Sequence, residues 1–255
     1  AWYDWATSGF RSTWLGTRTV RDRPPHDYQE ANHFRFVDLC LAAYAAGGRE
    51  RYLELACDYA DRWVRHVRTH DDGGAIPCQI LPEGAEAREL GRAGENTDAA
   101  RYQIFYAKMA SNTAYDIQSA LLDLWRLTGR DTYLDTARQL VDRFFEHARA
   151  GRPPVAHREG AWVYPADTAA DVGAGRAPLT ARAAIGQPVA MLATMALRHD
   201  LALGGDRYRQ PLLAWCEAID ERAHPFDQAS AAPLNAAHFY TGRPEPLARA
   251  LGMLI

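Results

Sequence analysis

The sequence of 255 residues has few lysines, few cysteines and no long apolar run. Its longest uncharged apolar run, Pro188 to Leu197, is well short of the roughly 18 to 20 residues that a membrane-spanning helix needs, and no signal peptide opens the sequence. A single lysine, Lys108, accompanies 28 arginines at a net charge of −3, so no basic surface for nucleic acid is expected. The four cysteines contain no C-x-x-C pair, which argues against a zinc ribbon. We therefore expect a folded protein without a membrane or nucleic-acid partner, in a compartment that the sequence leaves open.

Motifs for nucleotide and metal chemistry are absent as well. The sequence has no P-loop, no dinucleotide-binding glycine fingerprint, no G-x-S-x-G elbow and no H-E-x-x-H zinc motif. His66 and His70 stand four residues apart near a predicted helix end, but no third ligand accompanies them, and a solvated helix face is the favoured interpretation. The sequence therefore predicts neither a cofactor nor a metal ion.

What the sequence does contain is an internal repeat marked by glycines. Each copy has a glycine, an acidic residue two positions later and a tyrosine two positions after that. This spacing is typical of a glycine that ends one helix and an acidic N-cap that begins the next. A fourth glycine, Gly242, begins a last copy in which prolines replace the usual cap. The three complete copies are Gly48-Arg49-Glu50-Arg51-Tyr52, Gly129-Arg130-Asp131-Thr132-Tyr133 and Gly204-Gly205-Asp206-Arg207-Tyr208.

Two kinds of helix flank each glycine. Counting 4, 7, 8, 11, 12 and 15 residues on from each tyrosine gives an apolar stripe of helical period, which predicts an amphipathic outer helix with its stripe facing inward. The segment before each glycine is apolar on nearly every face, which predicts a buried inner helix. The sequence therefore predicts an all-α fold built from pairs of inner and outer helices. The inner segments are Phe34 to Ala46, Ala114 to Thr128 and Val189 to Leu203.

Long connections separate the copies. The tyrosines are 81 and then 75 residues apart, whereas a helical hairpin needs only about 40 residues. The additional chain lies between each outer helix and the next inner helix, at about residues 69–111 and 150–186. Loops longer than about 12 to 15 residues are usually functional, so we expect the functional residues where the inner helices begin. Within the second loop, residues 160–164 could form a short hairpin.

The alternating inner and outer helices, the Gly-x-Asp/Glu-x-Tyr turns and the loop-rich face resemble the (α/α) toroid of six-hairpin glycosidase-like proteins and toroidal polysaccharide lyases. The likeness covers most of Phe34 to Leu251. It implies a single all-α domain over residues 1–255, in which inner and outer hairpins form an (α/α) toroid or barrel. Four pairs are visible where such a toroid usually has six or seven, so the predicted ring is either open or continued by flanking chain.

A more local likeness lies at the start of the second inner helix. Residues 112–118 are similar to the Asn-Asn-His-Gly-x-Trp-Tyr-Asp-x-Gln segment of alginate-lyase-type domains. Tyr115, Asp116 and Gln118 match that pattern, whereas Ser111 stands in place of its histidine and the asparagine is displaced by two or three positions. The resemblance implies a carbohydrate-active enzyme. Our leading hypothesis is a lyase that cleaves uronic-acid-containing polysaccharide or oligosaccharide by β-elimination.

Such an elimination removes a proton beside a carboxylate, which is acidic enough only when the carboxylate charge is neutralised. An asparagine or an arginine, such as Arg101 or Arg182, would bind that carboxylate. His33 or Tyr115 would take the proton, and Tyr115 would protonate the leaving oxygen. Loop aromatics would stack on sugars, and arginines would pair with further carboxylates. The predicted catalytic residues are Tyr115, His33 and Asn112, and the predicted substrate-binding residues are Asn32, Arg35, Arg101, Tyr102, Lys108, His157, Trp162, Tyr164 and Arg182.

Other interpretations of these residues stay open. His33 and Asn112 could simply cap helices, and the loop aromatics and arginines could be ordinary packing. A glycoside hydrolase of the same fold, such as an unsaturated uronyl hydrolase, would use Asp71 or Asp72 as general acid, although both also fit a turn after an outer helix. A third possibility is a helical-repeat binding module without catalysis. For either enzyme the expected partner is an acidic oligosaccharide or polysaccharide, and the sequence predicts no particular oligomeric state.

Overall fold

In the computed structural model, helices dominate the described part of the chain, together with three two-stranded antiparallel sheets. The described residues are 2–12, 18–20, 29–30, 33–69, 79–80, 115–146, 156–158, 161–163, 187–217 and 228–252. The strands are β1 (Tyr3–Asp4), β2 (Gly9–Phe10), β3 (Gln29–Glu30), β4 (Gln79–Ile80), β5 (Ala156–Arg158) and β6 (Ala161–Val163). The helices are α1 (Phe34–Gly47), α2 (Glu50–Thr69), α3 (115–128), α4 (Asp131–Glu146), α5 (Gln187–Leu203), α6 (Arg209–Glu217), α7 (Gln228–Thr241) and α8 (Pro244–Gly252).

This content confirms the all-α prediction. Two compact units divide the chain, Ala1–Leu140 and Val141–Ile255, and the boundary falls within α4. In the first unit α1 packs on α2. In the second unit α7 packs on α5, α6 and α8, and β5 contacts α5. Within the described ranges, none of the helices has the length and apolar character that crossing a membrane requires.

The four inner helices each end at a glycine in the left-handed conformation, as the repeat predicts. Gly48, Gly129, Gly204 and Gly242 have φ angles of 64°, 67°, 64° and 65°. A side chain in this region would bring its Cβ against the backbone, so glycine adopts it at the lowest cost. In the first, second and fourth copies, the glycine N–H donates to the carbonyl four residues earlier at 2.7 to 2.8 Å. The predicted fourth copy is confirmed as α7 and α8.

The prediction that the acidic residue of each turn is a helix N-cap is wrong in all three complete copies. Glu50 and Asp131 are the first residues of α2 and α4, one position further into the helix. In the third copy Asp206 lies three residues before α6 begins at Arg209. An acid in the first helical turn is favourable because the N-terminus of a helix carries partial positive charge.

The predicted apolar stripes of the outer helices are confirmed where the structure describes their side chains. Trp63, at the centre of the α2 stripe, packs its ring on Phe34 and Tyr59. In the second unit Phe145 stacks on Tyr208 at 5.3 Å between ring centroids and on Trp215 at 5.2 Å. The buried stripe residues are Ala56, Tyr59, Ala60, Trp63, Val64, Val67, Ala137, Leu140, Val141, Leu212, Trp215 and Cys216. The stripe positions Phe144, Ala148, Ile219, Asp220 and Ala223 lie outside the described side chains.

The prediction of a fully buried first inner helix is wrong. In α1 the buried side chains are Phe34, Val37 and Leu41, whereas Leu39 is 64% exposed. The positions equivalent to Leu39, counted back nine residues from the turn glycine, are Ala120 and Met195, which are 0% and 1% exposed. The tyrosines of the turns show the same difference: Tyr52 is 37% exposed, against 0% for Tyr133 and 3% for Tyr208. Among the described residues, no helix precedes α1 in the chain.

A carboxylate joins the second copy to the first. Asp61, nine residues after the tyrosine of the first copy, accepts two hydrogen bonds from the Arg130 guanidinium at 2.8 and 3.0 Å. Arg130 also donates to the Tyr133 hydroxyl at 2.7 Å. Burial raises the pKa of Tyr133, and hydrogen bonding to Cys57 raises it further, so the phenol stays protonated. We call this arrangement of an outer-helix carboxylate with the arginine and tyrosine of the next turn a carboxylate clamp.

The third copy repeats the carboxylate clamp in the second unit. Asp142, again nine residues after a turn tyrosine, accepts hydrogen bonds from Arg207 at 3.1 and 2.7 Å and from the Tyr208 hydroxyl at 2.9 Å. Two-point pairing of an arginine with a carboxylate fixes the relative orientation of the two groups. An aspartate nine residues after a turn tyrosine therefore binds the arginine of the next turn in two places in the chain.

A hairpin of β1 and β2 covers part of α2. The Tyr3 hydroxyl donates to Asp58 at 2.7 Å, and the Ser8 hydroxyl donates to the same carboxylate at 2.9 Å. Arg62 donates to the Thr7 carbonyl at 2.6 Å. Asp58 therefore holds the hairpin on one flank of α2, whereas Asp61 on the same helix binds the second copy.

Candidate functional site

The structure brings the starts of two inner helices in the first unit within electrostatic reach of each other. Arg35 lies in the first turn of α1, and Asp116 is the second residue in the described part of α3. Burial raises the pKa of the Asp116 carboxyl, and the nearby Arg35 guanidinium opposes part of this rise. Arg35 is exposed and Asp116 is half-buried, so the pair offers a positive charge to solvent above a carboxyl that is partly protected from it. This end of the first unit is the candidate site.

His33 lies at the same end, immediately before α1. Its side chain is 3% exposed, and its ring lies 4.9 Å from Phe10, 6.0 Å from Phe36 and 6.3 Å from Tyr59, between ring centroids. Burial lowers the pKa of His33 to about 4, so the imidazole is neutral at pH 7. It occupies the N-cap position of α1 but makes no capping hydrogen bond through its side chain. The interpretation of His33 as a helix cap is therefore wrong.

Tyr115, the predicted proton-transfer residue, begins the described part of α3 and is half-buried. Gln118 follows one turn later and is fully buried. Tyr115 therefore lies where α3 emerges toward the candidate site, while Gln118 belongs to the packed part of the same helix. Tyr115 precedes Asp116 in the sequence, so the same turn of α3 carries the phenol and the carboxyl that interacts electrostatically with Arg35.

Backbone pairing ties the first long loop to the segment that leads into α1. Strand β3 pairs with β4 in an antiparallel ladder, with Gln29 opposite Ile80 and Glu30 opposite Gln79. Because β3 ends three residues before His33, part of this loop is held near the start of α1. The other predicted residues of this region, which lie outside the described residues, are Asn32, Asp71, Asp72, Arg101, Tyr102, Lys108 and Asn112.

The second long loop contains a hairpin, but it begins earlier than predicted, since residues 160–164 include only its second strand, β6. Strands β5 and β6 pair in register, with His157 directly opposite Trp162. Two predicted substrate-binding residues thus occupy facing backbone positions of one hairpin, and β5 contacts α5 in the second unit. Tyr164 and Arg182 lie outside the described residues.

A second polar cluster, which sequence analysis missed, lies at the end of α5. The Asp200 carboxylate contacts His199 Nδ1 at 3.2 Å and accepts hydrogen bonds from the Tyr208 N–H at 3.0 Å and the Tyr240 hydroxyl at 2.7 Å. Both His199 and Asp200 are buried. Because the cluster is sealed from solvent and joins α5 to the third turn and to α7, its role is to hold the second unit together. The adjacent His199 and Asp200 within a largely apolar inner helix were the sequence signal for it.

Within the described parts of the chain, no three His, Cys, Asp or Glu side chains converge as possible metal ligands. Comparison with known protein families, with curated proteins and with solved structures finds no match. A function for this protein therefore has to be inferred from its own residues.

Proposed function

We propose that the protein is a carbohydrate-active enzyme of the (α/α) toroid type that cleaves uronic-acid-containing glycans by β-elimination. The observation that carries this proposal is the proximity of Arg35 to Asp116 at the starts of α1 and α3, beside Tyr115 and His33. The pair combines an exposed cation with titratable groups at one end of the first unit. This is the end where the repeat pattern and the long loops predict the chemistry.

Arg35 binds the substrate carboxylate in this mechanism. Its guanidinium presents a planar fork of donors that matches a carboxylate, and pairing with it lowers the barrier to removing the neighbouring proton. Asp116 keeps the guanidinium in place from the helix side, where burial has already made its own carboxyl less acidic. Asp116 is thus a positioning residue and Arg35 a catalytic one.

Tyr115 transfers the proton in preference to His33. Tyr115 is half-buried at the start of α3, so a bound sugar could reach its hydroxyl. His33 is enclosed by aromatic rings, and its low pKa makes it a weak base. His33 therefore supports the packing beneath the site. Tyr115, in its ionised form, takes the proton beside the substrate carboxylate and then gives that proton to the glycosidic oxygen as the C–O bond breaks, so the tyrosine ends in the state in which it began.

The reaction type is tested by incubating the protein with polyuronates and glycosaminoglycans. Elimination generates unsaturated uronate ends that absorb in the ultraviolet. New reducing ends without that absorbance would contradict the lyase proposal and indicate hydrolysis. Binding without either product would indicate the helical-repeat binding module.

The role of Tyr115 is tested with Tyr115→Phe, which removes only the hydroxyl. Turnover should fall by roughly 10²- to 10⁴-fold, the usual contribution of a general acid or base, with the melting temperature preserved. The matched control is Tyr44→Phe, which removes a phenol at the other end of α1, where the Tyr44 hydroxyl makes only a long 3.4 Å contact with Glu50. Equal activity of the two variants would contradict the proposed role.

A glycoside hydrolase is the second candidate, and the raised pKa of Asp116 is the observation that favours it. A general acid has to be protonated when substrate binds, and burial of a carboxyl promotes this state. Asp116→Asn distinguishes the candidates. It should abolish hydrolysis, which needs the proton, but should reduce elimination only in part, because Arg35, the group that binds the substrate carboxylate, is unchanged.

A further inference from the structure

The two carboxylate clamps show that the arginine and the tyrosine of a turn bind a carboxylate in this protein. In each clamp the bound group is an aspartate on an outer helix, nine residues after the preceding tyrosine. The arginine stands either one residue after the glycine, as Arg130 does, or three residues after it, as Arg207 does. The turn of the first copy can be compared with both arrangements.

The first copy carries the complete set of clamp donors. Arg49 stands at the position of Arg130, Arg51 stands at the position of Arg207, and Tyr52 is the turn tyrosine. All three are exposed. None of their side chains bonds to a carboxylate within the described part of the chain. The donors of a carboxylate clamp are therefore present here, and no acid among the described residues binds them.

An apolar side chain accompanies these donors. Leu39 on α1 is largely exposed, although the equivalent positions in the second and third copies are buried. Leu39 and Tyr52 are therefore exposed at repeat positions that are buried in the second and third copies. We call the exposed residues Leu39, Arg49, Arg51 and Tyr52 of the first copy the open flank. Exposed apolar groups beside unpaired charges are typical of an interaction surface.

The complementary acid occurs in the third copy. Glu217 stands nine residues after Tyr208, at the position of Asp61 and Asp142. It is exposed at the end of α6, and no described residue forms an ion pair with it. Arg243, one residue after the fourth glycine, makes hydrogen bonds only through its backbone within the described residues. The third clamp is therefore not formed within the described parts of the second unit, and Glu217 is left available.

We propose that copies of this chain associate head to tail, with Glu217 of one copy bound at the open flank of a second copy. Arg49, Arg51 and Tyr52 then form a carboxylate clamp with Glu217, as the internal turns do with Asp61 and Asp142. Charge complementarity selects this occupant, since the flank supplies two cations and the end of α6 supplies an acid at the repeat position, none of which forms an ion pair with another described residue. Because the two surfaces differ, the contact is heterologous and generates rings or open chains.

The test is sedimentation of the full chain over a range of protein concentrations. The wild-type protein should show a concentration-dependent increase in mass. R49E/R51E and E217R should each weaken this association by at least about 10-fold, because like charges then face each other across the contact. Matched controls are R126E and E245R, which reverse exposed charges outside both surfaces and should leave association unchanged.

A mixing experiment distinguishes direct pairing from a general charge effect. The R49E/R51E and E217R variants, each defective alone, should associate when mixed, because the acids of one then face the arginine of the other. A wild-type protein that stays monomeric at every concentration would overturn the proposal. So would association that E217R leaves intact, which would assign the open flank to a different acidic partner, and so would a mixture no better than either variant alone.

Discussion

The titration of His33 gives the most quantitative expectation for this protein. Burial lowers the pKa of the imidazole from its ordinary value of 6.5 to about 4 in the folded chain. The unfolded chain therefore binds more protons than the folded chain between these two values, and stability falls as the pH decreases through them. The free energy of unfolding changes by about 3 kcal/mol through this titration, since a pKa difference of one unit corresponds to roughly 1.4 kcal/mol. The contribution is present in full above pH 6.5 and is lost by about pH 4.

The assay is urea unfolding at several pH values between 4 and 8, for the wild-type protein and for His33→Phe. The variant keeps an aromatic ring among Phe10, Phe36 and Tyr59 but cannot titrate. Other groups titrate in both proteins, so the difference between the two curves isolates His33. Between pH 7 and pH 4 the wild-type protein should lose about 3 kcal/mol more unfolding free energy than the variant.

Parallel curves would refute the burial of His33. If the larger phenylalanine prevents folding, His33→Gln provides the same comparison with a smaller side chain that does not titrate in this range. Wild-type stability that rises toward acid relative to either variant would reverse the sign, and would mean that a carboxylate pairs with the imidazole in the folded state.

Two further predictions concern the repeat. Trp63→Ala should cost about 3 to 5 kcal/mol in urea unfolding because Trp63 is fully buried, whereas Trp5→Ala, at an exposed indole, should cost much less; equal losses would contradict the inward stripe. Gly129→Ala should cost about 1 to 2 kcal/mol, because φ is +67° although no atom lies near the added Cβ. Gly47→Ala, with equal space inside α1, should be neutral or stabilising, and a similar loss at both glycines would show that backbone conformation is not the cause.

The features that sequence analysis predicted correctly are local ones. The turn at Gly129 depends on a few consecutive residues, and its left-handed conformation follows from the missing Cβ. The stripe through Tyr59 and Trp63 follows from helical period, because side chains three, four and seven residues apart share one face. Each of these features depends on the residues of a single segment, so it can be predicted without knowing what packs against that segment.

The candidate site was predicted only in part. The start of each inner helix was the expected location, and Arg35, Tyr115 and His33 were among the expected residues. The pairing of Arg35 with Asp116 was not predicted, because it joins two helices whose starts are about 80 residues apart in the sequence. The burial of His33 was not predicted either, since it depends on Phe10 from the N-terminal hairpin.

The helical period of the apolar residues and the glycines of the turns are sufficient to predict the helical hairpins, where they turn and which face of each outer helix is apolar. Tertiary packing settles which of those faces has a neighbour. Leu39 and Tyr52 occupy the same repeat positions as Met195 and Tyr208, yet the first pair is exposed and the second is buried. The physical reason is that burial and pairing depend on groups contributed by another segment, and a repeat pattern specifies the surface that each copy offers but not the presence of the copy that would cover it.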